Sequence, residues 1–150
     1  MITIKDLTVK NFMSVGNVTQ AVRFTNDGLT LVLGNNVDLG GDGSRNGTGK
    51  TTIINALSYV IYGNALTNIR KDNLINKTNG KSMMVTLDFE IDGKKYRIER
   101  GRKPNVLKYY VDELNVEEDE AQGENRQTQS DIEKLFGMSH DMFKHIVALN

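Results

Sequence analysis

Alternation of apolar and polar residues is the strongest signal in the chain, and it is densest between positions 85 and 98. Val85, Leu87, Phe89 and Ile91 alternate with Thr86, Asp88 and Glu90, and beyond Asp92-Gly93 the period continues in Tyr96 and Ile98 against Lys95, Arg97 and Glu99. Successive strand side chains point to opposite faces, so this pattern predicts a half-buried hairpin closed by a two-residue turn of the Asp-Gly type. A third strand is predicted over 106–111, after Pro104. Near the start, Ile2, Ile4, Leu7 and Val9 alternate on either side of a slip at Asp6, which predicts a first strand with a bulge or bend. Turn formers fill 11–17, Val18, Val22 and Phe24 predict a second strand, and Asn26-Asp27-Gly28 turns into the apolar run Leu29 to Leu33, read as buried strand. The expected sheet is mixed.

From Thr51 the period changes. Ile53, Ile54, Leu57, Val60 and Ile61 fall on one helical face, and Gly63 is placed to end the helix. Residues 65–80 are polar with scattered Leu and Ile and read as loop with one short helical turn. Residues 112–124 hold seven acidic side chains and no basic one, which reads as a solvated linker, extending to 129, or a long hairpin connection. Ser130 and Glu133 match a capping box for a short helix over 131–136 that Gly137 closes. Ser139 starts another, with Met142, Phe143, Ile146 and Val147 on one face. His140 and His145 have no metal-ligand companions at useful spacing and are taken as surface or partner-facing residues.

Composition narrows the class. A chain of 150 residues suits one domain with a real core. No apolar run approaches the ~18 residues of a spanning helix, and the first ten residues lack the centre of a signal peptide, so no membrane is expected. Zero cysteines exclude disulfides and Cys-based zinc sites and fit a cytoplasmic setting. The net charge of zero conceals an asymmetry: residues 1–110 carry 16 Lys and Arg against 9 Asp and Glu, whereas 111–150 carry 3 against 10. Only the first part suits a polyanion. Within it, the run from Lys94 to Lys103 has six basic residues against Glu99 alone. Two readings stay open: protection of an exposed hairpin edge, or phosphate-backbone contact through Arg97, Arg100, Arg102 and Lys103.

The candidate chemistry lies between the apolar run and the helix. Positions 44–52 read S-R-N-G-T-G-K-T-T. Gly47 and Gly49 let the backbone turn tightly and present amides inward, Lys50 adds a mobile cation, and Thr51 adds a hydroxyl suited to a bound Mg²⁺. These are the parts of a phosphate-binding loop at a helix N-terminus, where the dipole also favours anions. The pattern G-x-x-x-x-G-K-[ST] asks for glycine where Ser44 stands, so the match is one residue short; the order strand, loop, helix compensates. The stretch 34–45, rich in Gly, Asp and Asn, reads as an inserted surface loop, the alternative being a flap that brings Asp38 or Asp42 near a metal or partner.

K-N-F-M-S at 10–14, L-V-L-G at 31–34, R-N-G-T-G-K-T-T at 45–52, the hairpin D-F-E-I-D-G-K-K-Y-R-I-E-R and the terminal L-F-G-M-S-H-D-M-F-K-H-I-V-A-L-N together resemble one family. The chain is similar to the N-terminal half of an SbcC-type ATPase, related to the SMC proteins, and in particular to the large subunit of the recombination endonuclease of tailed phages. The resemblance implies an α/β P-loop NTPase fold, the N-terminal lobe of an ABC-type head that another half of the polypeptide completes. It implies ATP and Mg²⁺ as ligands, with Asn46, Gly47, Thr48, Gly49, Lys50, Thr51 and Thr52 around the phosphates. Lys50 would serve the β- and γ-phosphates and Thr51 the metal. Asn150 falls where the family places a metal- and water-contacting glutamine. Implied partners are the chain's own C-terminal half, a second head, an SbcD-type nuclease and double-stranded DNA.

No run of apolar strand residues ending in Asp-Glu, no Ser-Gly-Gly signature and no coiled coil occurs in these residues. The expectation is therefore a portion of a larger ATPase, hydrolysing little alone. Two other classes remain: a self-contained small P-loop kinase or GTPase, which would need a metal-binding aspartate on a later strand, and a non-catalytic interaction module.

Overall fold

In β4 (Met83–Ile91) and β5 (Lys94–Arg102) the alternation becomes register: Leu87 pairs with Ile98, Val85 with Arg100 and Phe89 with Tyr96 on one face, while Asp88 pairs with Arg97 and Thr86 with Glu99 on the other. Asp92 and Gly93 between them both take positive φ, 51° and 83°, as a two-residue hairpin turn of this twist requires. The computed structural model describes residues 2–25, 28–30, 46–66, 69–112, 114–119 and 125–143. Among these, β1 (Ile2–Lys10), β2 (Gln20–Thr25), β3 (Gly28–Thr30), β6 (Val106–Val111) and β7 (Leu114–Asp119) join β4 and β5 in one sheet of order β3-β2-β1-β4-β5-β6-β7. Helices α1 (Asn46–Tyr62) and α3 (Asn125–Phe136) pack against it, with a short α2 (Lys71–Leu74) between α1 and β4.

Burial follows the period. Leu7, Val9, Val85, Leu87, Phe89, Ile98 and Leu107 form a buried stripe across the sheet, and Ile53, Ala56, Val60, Ile132 and Phe136 of the helices join the same core. Each of these side chains larger than alanine contributes roughly 1.5–3 kcal/mol by leaving water. Phe89 stacks on Tyr96 at 5.3 Å between centroids and meets Phe136 of α3 at 4.9 Å. The slip expected at Asp6 is a register shift between Ile4 and Asp6 on the β4 side of β1.

Several elements differ from the sequence expectation. Every pairing among the described residues is antiparallel; a mixed sheet would need pairings from outside this set, where Leu31 to Leu33 and the insertion 34–45 also lie. The second strand starts at Gln20, and Val18 is 52% exposed in the turn before it. The acidic stretch is no linker throughout, because 114–119 pairs with β6 in a register that sets Glu118 beside Lys108. The capping box at Ser130 and Glu133 is not used: α3 starts at Asn125, and Glu133 accepts a hydrogen bond from Gln129 one turn earlier at 2.9 Å. Its inward stripe is Thr128, Ile132 and Phe136, and the polar first member of that stripe hides the helix start from a hydropathy reading. Gly137 does close it, with φ 70° and its amide on Glu133 O at 2.9 Å.

The turn after β1 is held by asparagines. Asn76 Nδ2 donates to Met13 O at 3.0 Å, Asn79 Nδ2 to Asn11 Oδ1 at 2.7 Å, and Asn11 Nδ2 to Asn17 Oδ1 at 3.2 Å. Phe12 is fully buried beneath them and faces Tyr59 of α1 at 6.0 Å. The Asn76 amide thereby satisfies a backbone carbonyl that neither helix nor ladder reaches, and the other two bonds join side chains across the turn.

Candidate functional site

Helix α1 carries the glycine and lysine residues of the sequence motif at its beginning. It starts at Asn46, five residues ahead of the Thr51 expected from periodicity, so N-G-T-G-K-T forms its first turns rather than a separate loop. Glycine disfavours a helix by about 1 kcal/mol relative to alanine, but the apolar turns that follow are packed and carry the first turn with them. The amides of a first turn have no intrahelical acceptor and point out along the axis, toward the positive end of the dipole. In this helix those free amides begin at Asn46. Thr51 is exposed, while the next residue, Thr52, is buried. Asn55, one turn on, donates Nδ2 to Thr51 O at 2.9 Å and accepts the Leu66 amide on Oδ1 at 2.9 Å. That buried amide ties the start of α1 to the chain beyond its end.

The far end of α1 is capped by side chains from elsewhere in the fold. Gly63 takes φ 80° and its amide reaches Tyr59 O at 2.7 Å. The next two carbonyls go to distant residues: Arg100 Nε of β5 donates to Val60 O at 3.1 Å, and Gln129 Nε2 of α3 donates to Ile61 O at 2.9 Å. Arg100 also donates to Gln129 Oε1 and stands over the Tyr59 ring at 6.0 Å. Desolvation lowers the Arg100 guanidinium from its usual range to about 10, with the Tyr59 and Glu133 charges opposing that shift, so it stays protonated at neutral pH. Ser58 Oγ donates to Asn64 O at 2.7 Å and meets His140 Nε2 at 2.7 Å, and the His140 ring lies 5.0 Å from that of Tyr62. His140 is thus an internal contact rather than a surface group. The turn at 140–143 that carries it is capped by Ser139, whose Oγ accepts the Met142 amide at 3.1 Å. Met142 itself is 54% exposed while Phe143 is buried, so the two do not share a face; Ile146, Val147, His145 and Asn150 lie outside the described residues.

The four candidate DNA contacts do not form one patch. Arg97 is on the polar face, where it bonds Asp88 at 2.7 Å and approaches Glu99 at 3.8 Å; the Asp88 hydrogen bond raises its pKa further, with the Asp88 and Glu99 charges adding to it. Arg100, by alternation, is on the opposite face and spends its donors inside the molecule, which removes it from the surface set. Arg102 bonds Asp72 of α2 at 2.7 Å, and this hydrogen bond holds the Asp72 carboxyl below its usual range. Lys103 is exposed, and its carbonyl accepts the Ser82 amide at 2.8 Å, which brings Lys81 alongside. Lys71 completes this group: burial lowers its pKa, and the neighbouring Arg102 and Arg100 charges add to the shift. The end of the sheet near α2 is therefore basic, whereas the polar face neutralises itself. Among the described residues no three His, Cys, Asp or Glu side chains gather to hold a metal ion.

The sequence model of the AAA domain matches residues 6–150. The chain belongs to that family. This AAA domain is 36% identical over 140 residues to Exonuclease subunit 2 of Enterobacteria phage T4, covering 93% of this chain and 23% of that protein. To the DNA double-strand break repair Rad50 ATPase of Archaeoglobus fulgidus it is 31% identical over 100 residues, 67% of this chain and 10% of the other. Its fold superposes on the Smc head domain of Pyrococcus furiosus with a TM-score of 0.53 at 20% identity, over 94% of this chain and 35% of that one. The AAA domain described here thus has the fold of an SMC-type ATPase head, and it spans less than a quarter of the length of its phage relative.

Proposed function

We propose that this AAA domain binds ATP at the first turns of α1, as the N-terminal portion of the ATPase subunit of a DNA recombination or repair nuclease complex. The observation that carries the reading is the placement of G-K-T-T: it opens a long helix whose opposite end is anchored and whose Thr51 faces solvent. The first-turn amides, Asn46 to Gly49, and the Lys50 ammonium would hold the terminal phosphates, with Thr51 and Thr52 beside them, and the Thr51 hydroxyl would be a ligand to Mg²⁺, which neutralises charge on the β- and γ-phosphates when bound. Asn150 is the proposed second ligand. A C-terminal half of the same polypeptide, a second head and an SbcD-type nuclease complete the assembly in the host cytoplasm, and ATP-driven engagement of the heads governs access of double-stranded DNA to the nuclease.

The DNA contact is placed at the basic end of the sheet, Lys71, Lys81, Arg102 and Lys103, rather than on the strand faces. The test uses the complete ATPase subunit with its nuclease. Lys50→Ala abolishes Mg-dependent ATP turnover; unchanged turnover would end the nucleotide reading. Lys81→Glu with Lys103→Glu leaves DNA-free turnover intact, weakens duplex DNA binding and flattens its salt dependence by about one unit of slope for each lysine lost. Duplex affinity equal to wild type at every salt concentration removes the basic end from the proposal.

A further inference from the structure

We propose that Arg100 is a positioning residue for the nucleotide site: with Gln129 it pins the carbonyl end of α1 and so sets where the helix presents its opposite end to phosphate. This rests on the nucleotide reading above. The last carbonyls of a helix have no intrahelical donor, and in α1 they are taken up by three separate parts of the fold. Tyr59 O goes to Gly63 just past the helix, Val60 O to Arg100 of β5, and Ile61 O to Gln129 of α3. A cation at a helix C-terminus interacts favourably with the dipole, and the guanidinium supplies one as well as the donor.

Arg100 and Gln129 act as a unit. Arg100 donates to Gln129 Oε1, which orients the amide so that its Nε2 faces both Ile61 O and the Glu133 carboxylate at 2.9 Å each. With its oxygen turned the other way, Gln129 would offer Ile61 no donor. The space is also fitted to the arginine: a Cβ on Gly63 would stand 2.9 Å from a guanidinium nitrogen. The described contacts of both residues lie at the carbonyl end of α1, so their effect on nucleotide is transmitted by the helix between, whose Asn55 ties back to Thr51 O.

A merely structural arginine and a positioning one differ in what their loss does to ATP. The experiment compares wild type, Arg100→Met, Arg100→Lys, Gln129→Leu and Lys50→Ala in the complete ATPase subunit with its nuclease, measuring Kd for Mg-ATP, KM and kcat, and the rise in Tm that a non-hydrolysable ATP analogue produces. The expected result is a Kd and KM raised five- to twenty-fold in Arg100→Met with a shrunken analogue-induced Tm rise, and partial recovery in Arg100→Lys, which keeps one charged donor. Gln129→Leu removes the Ile61 cap alone, remains informative if Arg100→Met does not fold, and is expected to raise Kd two- to five-fold. A lower Tm with unchanged Kd, KM and analogue-induced rise in the folded variants overturns the proposal. If wild type itself binds no ATP, or Lys50→Ala binds it equally well, the nucleotide reading fails instead.

Discussion

Arg97 and Arg100 stand three residues apart on β5 and live in different chemistries. On the polar face, register lays out a row across four strands: Arg23 beside Asp6, Asp6 beside Asp88, Asp88 beside Arg97. Two carboxylates placed opposite one another repel, and an arginine at each end of the row offsets this, Arg23 on Asp6 at 3.2 Å and Arg97 on Asp88 at 2.7 Å. On the helix face Arg100 meets backbone carbonyl, an amide and an aromatic ring. A cluster of positive charge in a sequence is therefore not yet a binding surface. The period of the strand divides it first, and the neighbours on each face then decide whether the charge is spent locally, inside, or left for a partner.

Changes on the helix face test this contrast most severely. Leu87→Ala, at a fully buried position, is expected to cost 2–5 kcal/mol in urea unfolding, about the range of buried leucine truncations; a cost near zero would mean that the helices do not cover this face. Next comes Tyr62→Phe. Tyr62 OH donates to Met138 O at 3.0 Å, and loss of that donor is expected to cost about 1 kcal/mol. Burial also pushes the Tyr62 phenol up to about 12 from 10.0, with the Glu133 charge adding to it. The unfolded chain ionises first, so this contribution is whole below pH 10 and is lost as pH rises toward 12. Tyr62→Phe should flatten the decline over that interval, and an unaltered decline would assign it to another group. The smallest effect belongs to the polar face. A double-mutant cycle on Arg97 and Asp88, both partly exposed, should return roughly 0.2–1 kcal/mol and shrink in salt. A coupling several times larger would show that something covers this face.

The hairpin β4–β5, the strand β6 and the bulge in β1 were legible because one face is wet and the other dry, which writes a period of two into the residues. The helix end at Gly63 and the stop at Gly137 were legible for a local reason, since few residues other than glycine take a left-handed cap. The start of α1 was not, because Gly47 and Gly49 look like loop and only the packing of later turns extends the helix through them. The start of α3 was obscured by Thr128 and Gln129, polar residues whose inward role depends on α1 and β5 being present. At the candidate site the motif itself was plain, whereas its supports were not: Asn55, Gln129 and His140 act on groups 4 to 82 residues away in sequence, and no local pattern announces such partners. The grouping of Arg100 with its exposed neighbours failed for the same reason.

The strand order has one further implication, for how chain length is tolerated. β1 lies between β2, its neighbour in sequence, and β4, which joins it only after the whole excursion through α1 and α2, in a register that runs from Ile2 beside Ile91 to Lys10 beside Met84. The ends of that excursion are thus tied by a ladder rather than by any short turn. Closure entropy grows with the logarithm of contour, about 0.6 kcal/mol for each doubling, so a dozen extra residues in so wide a span add only a small fraction of that amount. Added residues anywhere in that excursion are accordingly accepted at little entropic cost, because the ladder, not a short turn, sets where its ends lie.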